Sequence, residues 1–105
     1  MSDWIRGVAD QLAADGFIAI APDLLAGKGP NGGDSTSIPN QQEMTQLSLG
    51  MPAAEIIAKL QGARQYALKL PSANGKSGSA GFCFGGNQSF TFAVNEPALN
   101  ASVVY

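Results

Sequence analysis

One short segment, GFCFGG at residues 81–86, constrains the fold of this chain more than any other, because it sets a lone cysteine, Cys83, among three glycines. The residues before it, 77–82, suit a buried strand, and residues 84–95 suit a helix. A strand that turns into a helix within so few residues holds its central residue in a strained backbone conformation. The segment therefore predicts a sharp strand-to-helix turn, a nucleophile elbow, with Cys83 at its tip.

The glycines around Cys83 are the reason that such a tight turn is possible. Without a Cβ at Gly81 and Gly85, the strand and the incoming helix can approach closely and leave the sulfur exposed at the carboxyl end of the strand. We therefore expect the elbow geometry to require Gly81, Gly85 and Gly86. The sulfur would lie at a helix N-terminus, where the helix dipole and free N–H groups favour the thiolate that attacks a carbonyl.

Other interpretations of this segment are open besides the elbow. A lone cysteine is more often a small buried hydrophobic residue, and glycines in a strand can mark close packing alone. The glycine spacing and the strand-then-helix context favour the elbow. Gly75-Lys76-Ser77 resembles the last three residues of a phosphate-binding loop, but the first glycine of that motif would fall at Leu70. A strand also follows where that motif requires a helix. A dinucleotide fingerprint also fails, because Cys83 stands where its second glycine should be.

The rest of the chain alternates helical and strand patterns. Apolar spacing predicts helices at about 3–15, 41–48, 53–69 and 84–95, and buried strands at 17–21, 77–82 and 101–105. This alternation predicts an α/β protein with a parallel sheet of about three strands flanked by helices. At 105 residues the chain is expected to form one domain at most.

A carboxylate and a long loop follow the first predicted strand. Asp23 lies just past residues 17–21, where open α/β sheets place ligands, but a carboxylate that caps loop N–H groups is the favoured interpretation. Residues 26–40 are rich in glycine and proline and predict a loop of unusual length.

Composition excludes several classes of function. With 45% hydrophobic and 13% charged residues and a net charge of −2, the chain is globular and has no basic patch for nucleic acid. No apolar run is long enough for a membrane span, and acidic Asp3 and Asp10 argue against a signal peptide. A single cysteine excludes an intrachain disulfide and a multi-cysteine metal site. We expect a cytoplasmic protein with a free thiol and with no metal or cofactor.

The GFCFGG segment, together with LAADGFIAIAPDL at residues 12–24, resembles the dienelactone hydrolase family, a cysteine-using branch of the α/β-hydrolases. The likeness runs over the whole chain, which is similar to the middle of such an enzyme and would be a single partial α/β-hydrolase domain, 1–105. The resemblance implies that Cys83 attacks a small ester or lactone and that the N–H of Phe84 is one oxyanion donor. Where the family has an arginine for a substrate carboxylate, this chain has Gly27 and Lys28.

The sequence contains no histidine, and the sole carboxylate after Cys83 is Glu96. A catalytic triad of this family needs both a histidine and an acid after the nucleophile. The leading hypothesis is therefore a truncated dienelactone hydrolase-like chain that is inactive alone. A non-enzymatic module that self-associates or binds another chain through exposed sheet is the alternative, and a redox-active thiol protein is the least favoured. Because strand 17–21 lacks its expected neighbour, we also expect a homo-oligomer.

Overall fold

The computed structural model describes residues 2–105. The chain divides into two compact units, Met1–Pro52 and Ala53–Tyr105, which are described separately. The prediction of a single domain stays a prediction.

Helix α1, Asp3–Ala14, opens the first unit and confirms the predicted helix to within one residue. Its N-terminus is capped by Ser2, whose hydroxyl accepts the N–H of Ile5 at 3.3 Å. The helix ends in a Schellman turn at Gly16, which has a φ of 100°. The N–H of Gly16 and that of Phe17 bond to the carbonyls of Ala13 and Leu12, both at 3.1 Å.

Residues 17–21 are not a strand, and this part of the sequence prediction is wrong. Among residues 2–105 no other segment pairs with them, and Phe17, Ile18 and Ile20 are exposed. An apolar run gives the propensity for a strand, whereas a strand forms only when a neighbour accepts its hydrogen bonds. The described sheet therefore has two strands and not the expected three.

The remainder of the first unit is a loop and a helix. Two single turns of 3-10 helix, Pro30–Gly32 and Ser35–Ser37, lie within the predicted loop. Helix α2, Gln41–Gly50, follows and begins at the predicted cap, where the Asn40 side chain accepts the N–H of Glu43 at 2.9 Å. Among residues 2–52, those that are buried are Leu25, Ser35 and Ile38.

The second unit is built from helix α3 (Ala53–Leu68), strand β1 (Gly78–Gly81), helix α4 (Phe84–Asn95) and strand β2 (Ala101–Val104). The two strands pair in parallel, with Gly78 opposite Ala101 and Gly81 opposite Val104. This is a βαβ unit, which confirms the α/β class. Ile56 of α3 and Phe92 of α4 are the buried large apolar residues of the unit.

Arg64 of α3 holds the loops that flank the sheet. Its Nε donates to the hydroxyl of Ser77 at 2.9 Å, before β1. One Nη donates to the carbonyl of Ala98 at 3.4 Å, and the other lies 4.0 Å from the carboxylate of Glu96. Because Ser77 precedes β1 and Ala98 precedes β2, one guanidinium fixes the starts of both strands relative to α3.

In residues 2–105, no helix combines the length and the apolar character needed to cross a bilayer. The same residues include no group of three or more His, Cys, Asp or Glu side chains arranged to hold a metal ion.

Candidate active site

Cys83 lies where β1 turns into α4 and is the N-cap residue of that helix. Its backbone has φ 55° and ψ −115°, a conformation that costs a residue with a side chain about 1–3 kcal/mol. The N–H of Cys83 donates to the carbonyl of Tyr105 at 2.9 Å, and its own carbonyl accepts the N–H of Asn87 at 3.1 Å. These bonds hold the strained residue on both sides and leave its thiol exposed.

Two of the three glycines are required by the geometry of the elbow. A Cβ on Gly81 would overlap the carbonyl group of Gly85 and lie 2.7 Å from the nitrogen of Gly86. A Cβ on Gly86 would lie 2.5 Å from the carbonyl oxygen of Tyr105. Both contacts are to backbone atoms that no rotamer change can move, so the close approach of strand and helix depends on these positions.

For Gly85 the predicted steric requirement is wrong. A Cβ there would meet nothing within 4 Å. The reason is that β1 approaches the carbonyl group of Gly85, while its Cα faces open space. The sequence shows that glycines surround Cys83 but not which of them faces the strand.

The first turn of α4 follows Cys83 directly and begins with backbone N–H groups that have no acceptor within the helix. Phe84 is the first residue of the helix, so its N–H has no acceptor within the helix. The next N–H, that of Gly85, bonds to the carbonyl of Phe82 at 2.9 Å. The N–H of Phe84 is therefore the N–H that directly follows Cys83 in the chain.

An aromatic pair extends the strand pairing to the level of the elbow. The rings of Phe82 and Tyr105 stack with centroids 4.9 Å apart and 12° between their planes. The N–H of Tyr105 donates to the carbonyl of Gly81 at 2.9 Å. Sequence reasoning missed this role of Tyr105, although the predicted strands 77–82 and 101–105 both end in an aromatic residue.

A second missed feature is a cluster of three serine hydroxyls on the helix side of the sheet. Ser79 of β1, Ser102 of β2 and Ser89 of α4 lie with their Oγ atoms 2.7 to 3.2 Å apart. Ser89 is buried, with 4% of its surface exposed. We call these residues the serine cluster.

Asp23 acts as a cap for the loop that follows it, which confirms the favoured interpretation. Its carboxylate accepts the N–H of Leu25 at 3.1 Å and both the N–H and the hydroxyl of Ser35, at 2.9 and 2.7 Å. Burial raises the pKa of Asp23, but the bonds from Ser35 and Leu25 outweigh it and bring the pKa below its ordinary value of 3.8. The three bonds are all local to the first unit.

Lys28 borders an open groove of about 430 Å³ in the first unit. Ile38 and Leu47 line its apolar side, and Glu43 lies on its wall with Lys28. Glu43 also accepts from the Asn40 side chain at 3.3 Å.

Glu96, the carboxylate that follows Cys83 in the sequence, is the C-cap residue of α4. The helix between them has 12 residues and is therefore roughly 18 Å long. Glu96 accepts the N–H of Ala98 at 3.3 Å and faces Arg64. It is thus a structural residue at the opposite end of α4 from Cys83.

Together, the parallel strand pair, the crossover helix and the strained residue between them define an α/β protein of the hydrolase type. Comparison with known proteins identifies the branch of that class. The chain belongs to the dienelactone hydrolase family, whose model matches residues 1–105.

Relatives of the chain carry related names. It is 31% identical over 103 residues to a protein of Methylorubrum extorquens named "Putative carboxymethylenebutenolidase", and 30% identical over 102 residues to one of the same name from Escherichia coli K12. It is 28% identical over 99 residues to Carboxymethylenebutenolidase 1 of Cupriavidus pinatubonensis. These matches cover 96, 96 and 93% of the chain but 34, 36 and 42% of the relatives, so the chain spans little more than a third of their length. No solved structure matches the chain significantly.

Proposed function

We propose that Cys83 is the nucleophile of a site that hydrolyses small esters or lactones. The observation that carries the proposal is the backbone of Cys83, held at φ 55° with its thiol exposed beside the first turn of α4. A strained residue persists only where its surroundings fix it, and such residues cluster at functional sites. The family description, dienelactone hydrolase, supports a lactone as the substrate class.

In this reaction the Cys83 thiolate attacks the carbonyl carbon and forms a C–S bond, while the carbonyl electrons move to oxygen. The N–H of Phe84 donates to the resulting oxyanion. The tetrahedral adduct then collapses, the bond to the leaving oxygen breaks, and that oxygen takes a proton from water. The acyl thioester on Cys83 is finally hydrolysed by a second water, which releases the acid and the free thiol.

The second half of this reaction needs a base that the chain does not supply. The sequence contains no histidine, and Glu96 lies at the other end of α4. We therefore propose that the chain alone is acylated but does not turn over at an enzymatic rate, because nothing takes the proton from the attacking water. A free, exposed thiol of this kind suits a reducing compartment, and we propose the cytoplasm as its location.

A single-turnover assay with p-nitrophenyl acetate tests the proposal, because p-nitrophenolate leaves without needing a proton. We expect a burst of one equivalent of p-nitrophenolate per chain, faster than with N-acetylcysteine amide, followed by slow release. Mass spectrometry of the digested protein should find the acetyl group on Cys83.

The matched control is Cys83→Ser, which keeps the size of the side chain and removes the thiol. It should lose the burst while retaining the slow acetylation of lysines. A burst that survives in Cys83→Ser, or acetylation of Cys83 no faster than that of the model thiol, would contradict the proposal.

A second candidate function, self-association through the sheet, rests on a different observation. The face of the sheet opposite α4 carries Ala80, Ala101 and Val103, all exposed, and Tyr105 after the end of β2 is 71% exposed. Val103 itself is 44% exposed. A two-stranded sheet with a bare apolar face is only marginally stable in water, and a second copy of the chain would cover it.

Light scattering at micromolar concentration tests this second function. We expect a dimer or a larger assembly that Val103→Lys converts to monomer. The control is Leu49→Lys, which places the same charge at an exposed position of α2 and should leave the assembly intact. A folded monomer in the unmodified chain would refute self-association.

A further inference from the structure

The serine cluster joins the three elements that build the elbow. The hydroxyl oxygens of Ser79 and Ser89 are 2.7 Å apart, and those of Ser89 and Ser102 are 2.9 Å apart. Ser79 donates to Ser102 at 3.2 Å, and Ser102 also donates to the carbonyl of Ser89 at 3.1 Å. One hydroxyl from each strand therefore meets one from the helix.

The three hydroxyl oxygens form a ring of contacts, and the carbonyl of Ser89 is a further acceptor for the Ser102 hydroxyl. Ser79 donates to Ser102, Ser102 donates to the carbonyl of Ser89, and the Ser89 hydroxyl then has either Ser79 or Ser102 as its acceptor. Each hydroxyl has one proton to donate, and the bonds of such a connected network polarise one another. Removal of any one hydroxyl opens the ring and leaves the buried side of the cluster with fewer partners.

The cluster also closes the segment of chain that contains Cys83. Ser79 and Ser89 lie on either side of the elbow, ten residues apart in sequence. Nearer to the tip, Gly81 lies against the backbone of Gly85 and Gly86. Strand β1 and helix α4 are thus in contact at two places, the serine cluster and Gly81. Two contacts fix the angle between α4 and the sheet, whereas a single contact would allow that angle to vary.

We propose that Ser79, Ser89 and Ser102 are positioning residues for the elbow. By fixing the angle of α4, they hold Cys83 in its left-handed conformation and keep its thiol beside the N–H of Phe84. This inference rests on the proposed function of Cys83 as a nucleophile.

The test compares two variants that open the ring, Ser89→Ala and Ser102→Ala, with one that restores it, Ser102→Thr. Ser102 is exposed, so the added methyl group of threonine has room. The control is Ser77→Ala, which removes one hydrogen bond, to Arg64, from the same unit without touching α4. Two quantities are measured on the full chain: the second-order rate of Cys83 alkylation by iodoacetamide, and the NMR coupling between the amide and Cα protons of Cys83, which reports φ.

We expect both alanine variants to lower the alkylation rate by roughly two- to fivefold, the range that a helix N-terminus contributes to a nearby anion. Increased access cannot mask this loss, because the thiol is already exposed. The coupling of Cys83 should change in the same variants, and Ser102→Thr should restore both quantities. If Ser89→Ala does not fold, the comparison of Ser102→Ala with Ser102→Thr decides the matter.

The inference is overturned if alkylation and coupling stay unchanged in folded Ser102→Ala, or if Ser77→Ala alters them as much. A loss of stability without a change in either quantity also overturns it, since the cluster would then be structural only. Neither readout involves an ester, so acetylation of Cys83 by p-nitrophenyl acetate can still support the proposed function when this inference fails. Conversely, altered coupling without any acetylation would refute the function alone.

Discussion

Gly81 and Gly85 lie two residues before and two residues after Cys83, but their surroundings differ sharply in the structure, and substitution of each by alanine measures that difference. In Gly81→Ala the new Cβ would overlap the carbonyl of Gly85. Its contact with the nitrogen of Gly86, at 2.7 Å, is about 0.8 Å inside the ~3.5 Å at which nonbonded atoms attract each other. Helix α4 must move away from β1 to relieve these contacts.

The cost follows from the rigidity of the atoms involved. Overpacking of a tightly packed site typically costs about 1–3 kcal/mol, and backbone neighbours place Gly81→Ala at the upper end. Alanine also restricts the unfolded chain, which offsets about 0.4–1 kcal/mol. We therefore expect the free energy of unfolding to fall by about 2 kcal/mol. Gly85→Ala meets no atom within 4 Å and lies in a helix, so it should raise that free energy by up to about 1 kcal/mol.

Urea denaturation followed by circular dichroism gives both values. The two variants share the same chemistry and differ in position by four residues, so each is the control for the other. A loss in Gly85→Ala equal to that in Gly81→Ala would refute the close approach of strand and helix at Gly81. Unchanged stability in Gly81→Ala would do the same.

Two further predictions concern Cys83 and Asp23. Cys83→Gly should raise the free energy of unfolding by about 1–2 kcal/mol, because glycine adopts φ 55° and ψ −115° without strain. The same variant should abolish alkylation. A lower free energy of unfolding in urea denaturation would contradict the strained conformation of Cys83. The pKa of Asp23 in the folded protein lies below 3.8, so the ionised carboxylate stabilises the fold fully above pH 3.8, and this stabilisation disappears as the pH falls through the folded pKa. The free energy of unfolding should therefore decline on acidification, and Asp23→Asn should remove part of this decline. If the decline in the free energy of unfolding at low pH is the same in Asp23→Asn, the bonds to Ser35 and Leu25 contribute nothing to stability.

The second unit could be predicted from sequence because its signals are local. The parallel strands, the helix between them and the strained residue at the turn follow from the glycines around Cys83 and from short apolar runs. Residues 17–21 show the limit of such reasoning: their composition favours a strand, but pairing depends on a neighbour that composition does not reveal. The capping role of Asp23 could be predicted because a carboxylate next to a loop readily accepts the loop's N–H groups.

The orientation of side chains around the elbow was not predictable. The sequence places serines at 79, 89 and 102, but only the register of Ser79 opposite Ser102 brings them to the same face of the sheet. Likewise, the different surroundings of Gly81 and Gly85 depend on the angle of α4, which no local pattern encodes.

The bond from the Cys83 N–H to the carbonyl of Tyr105 also has a consequence for the order of folding. Tyr105 reaches that position only after β2 has paired with β1, and parallel pairing across a helix requires closure of a long loop. Helix α4 can form much earlier, because its contacts are local. During refolding, the thiol of Cys83 should therefore acquire its native reactivity in a late phase that coincides with strand docking and follows the main gain of helicity.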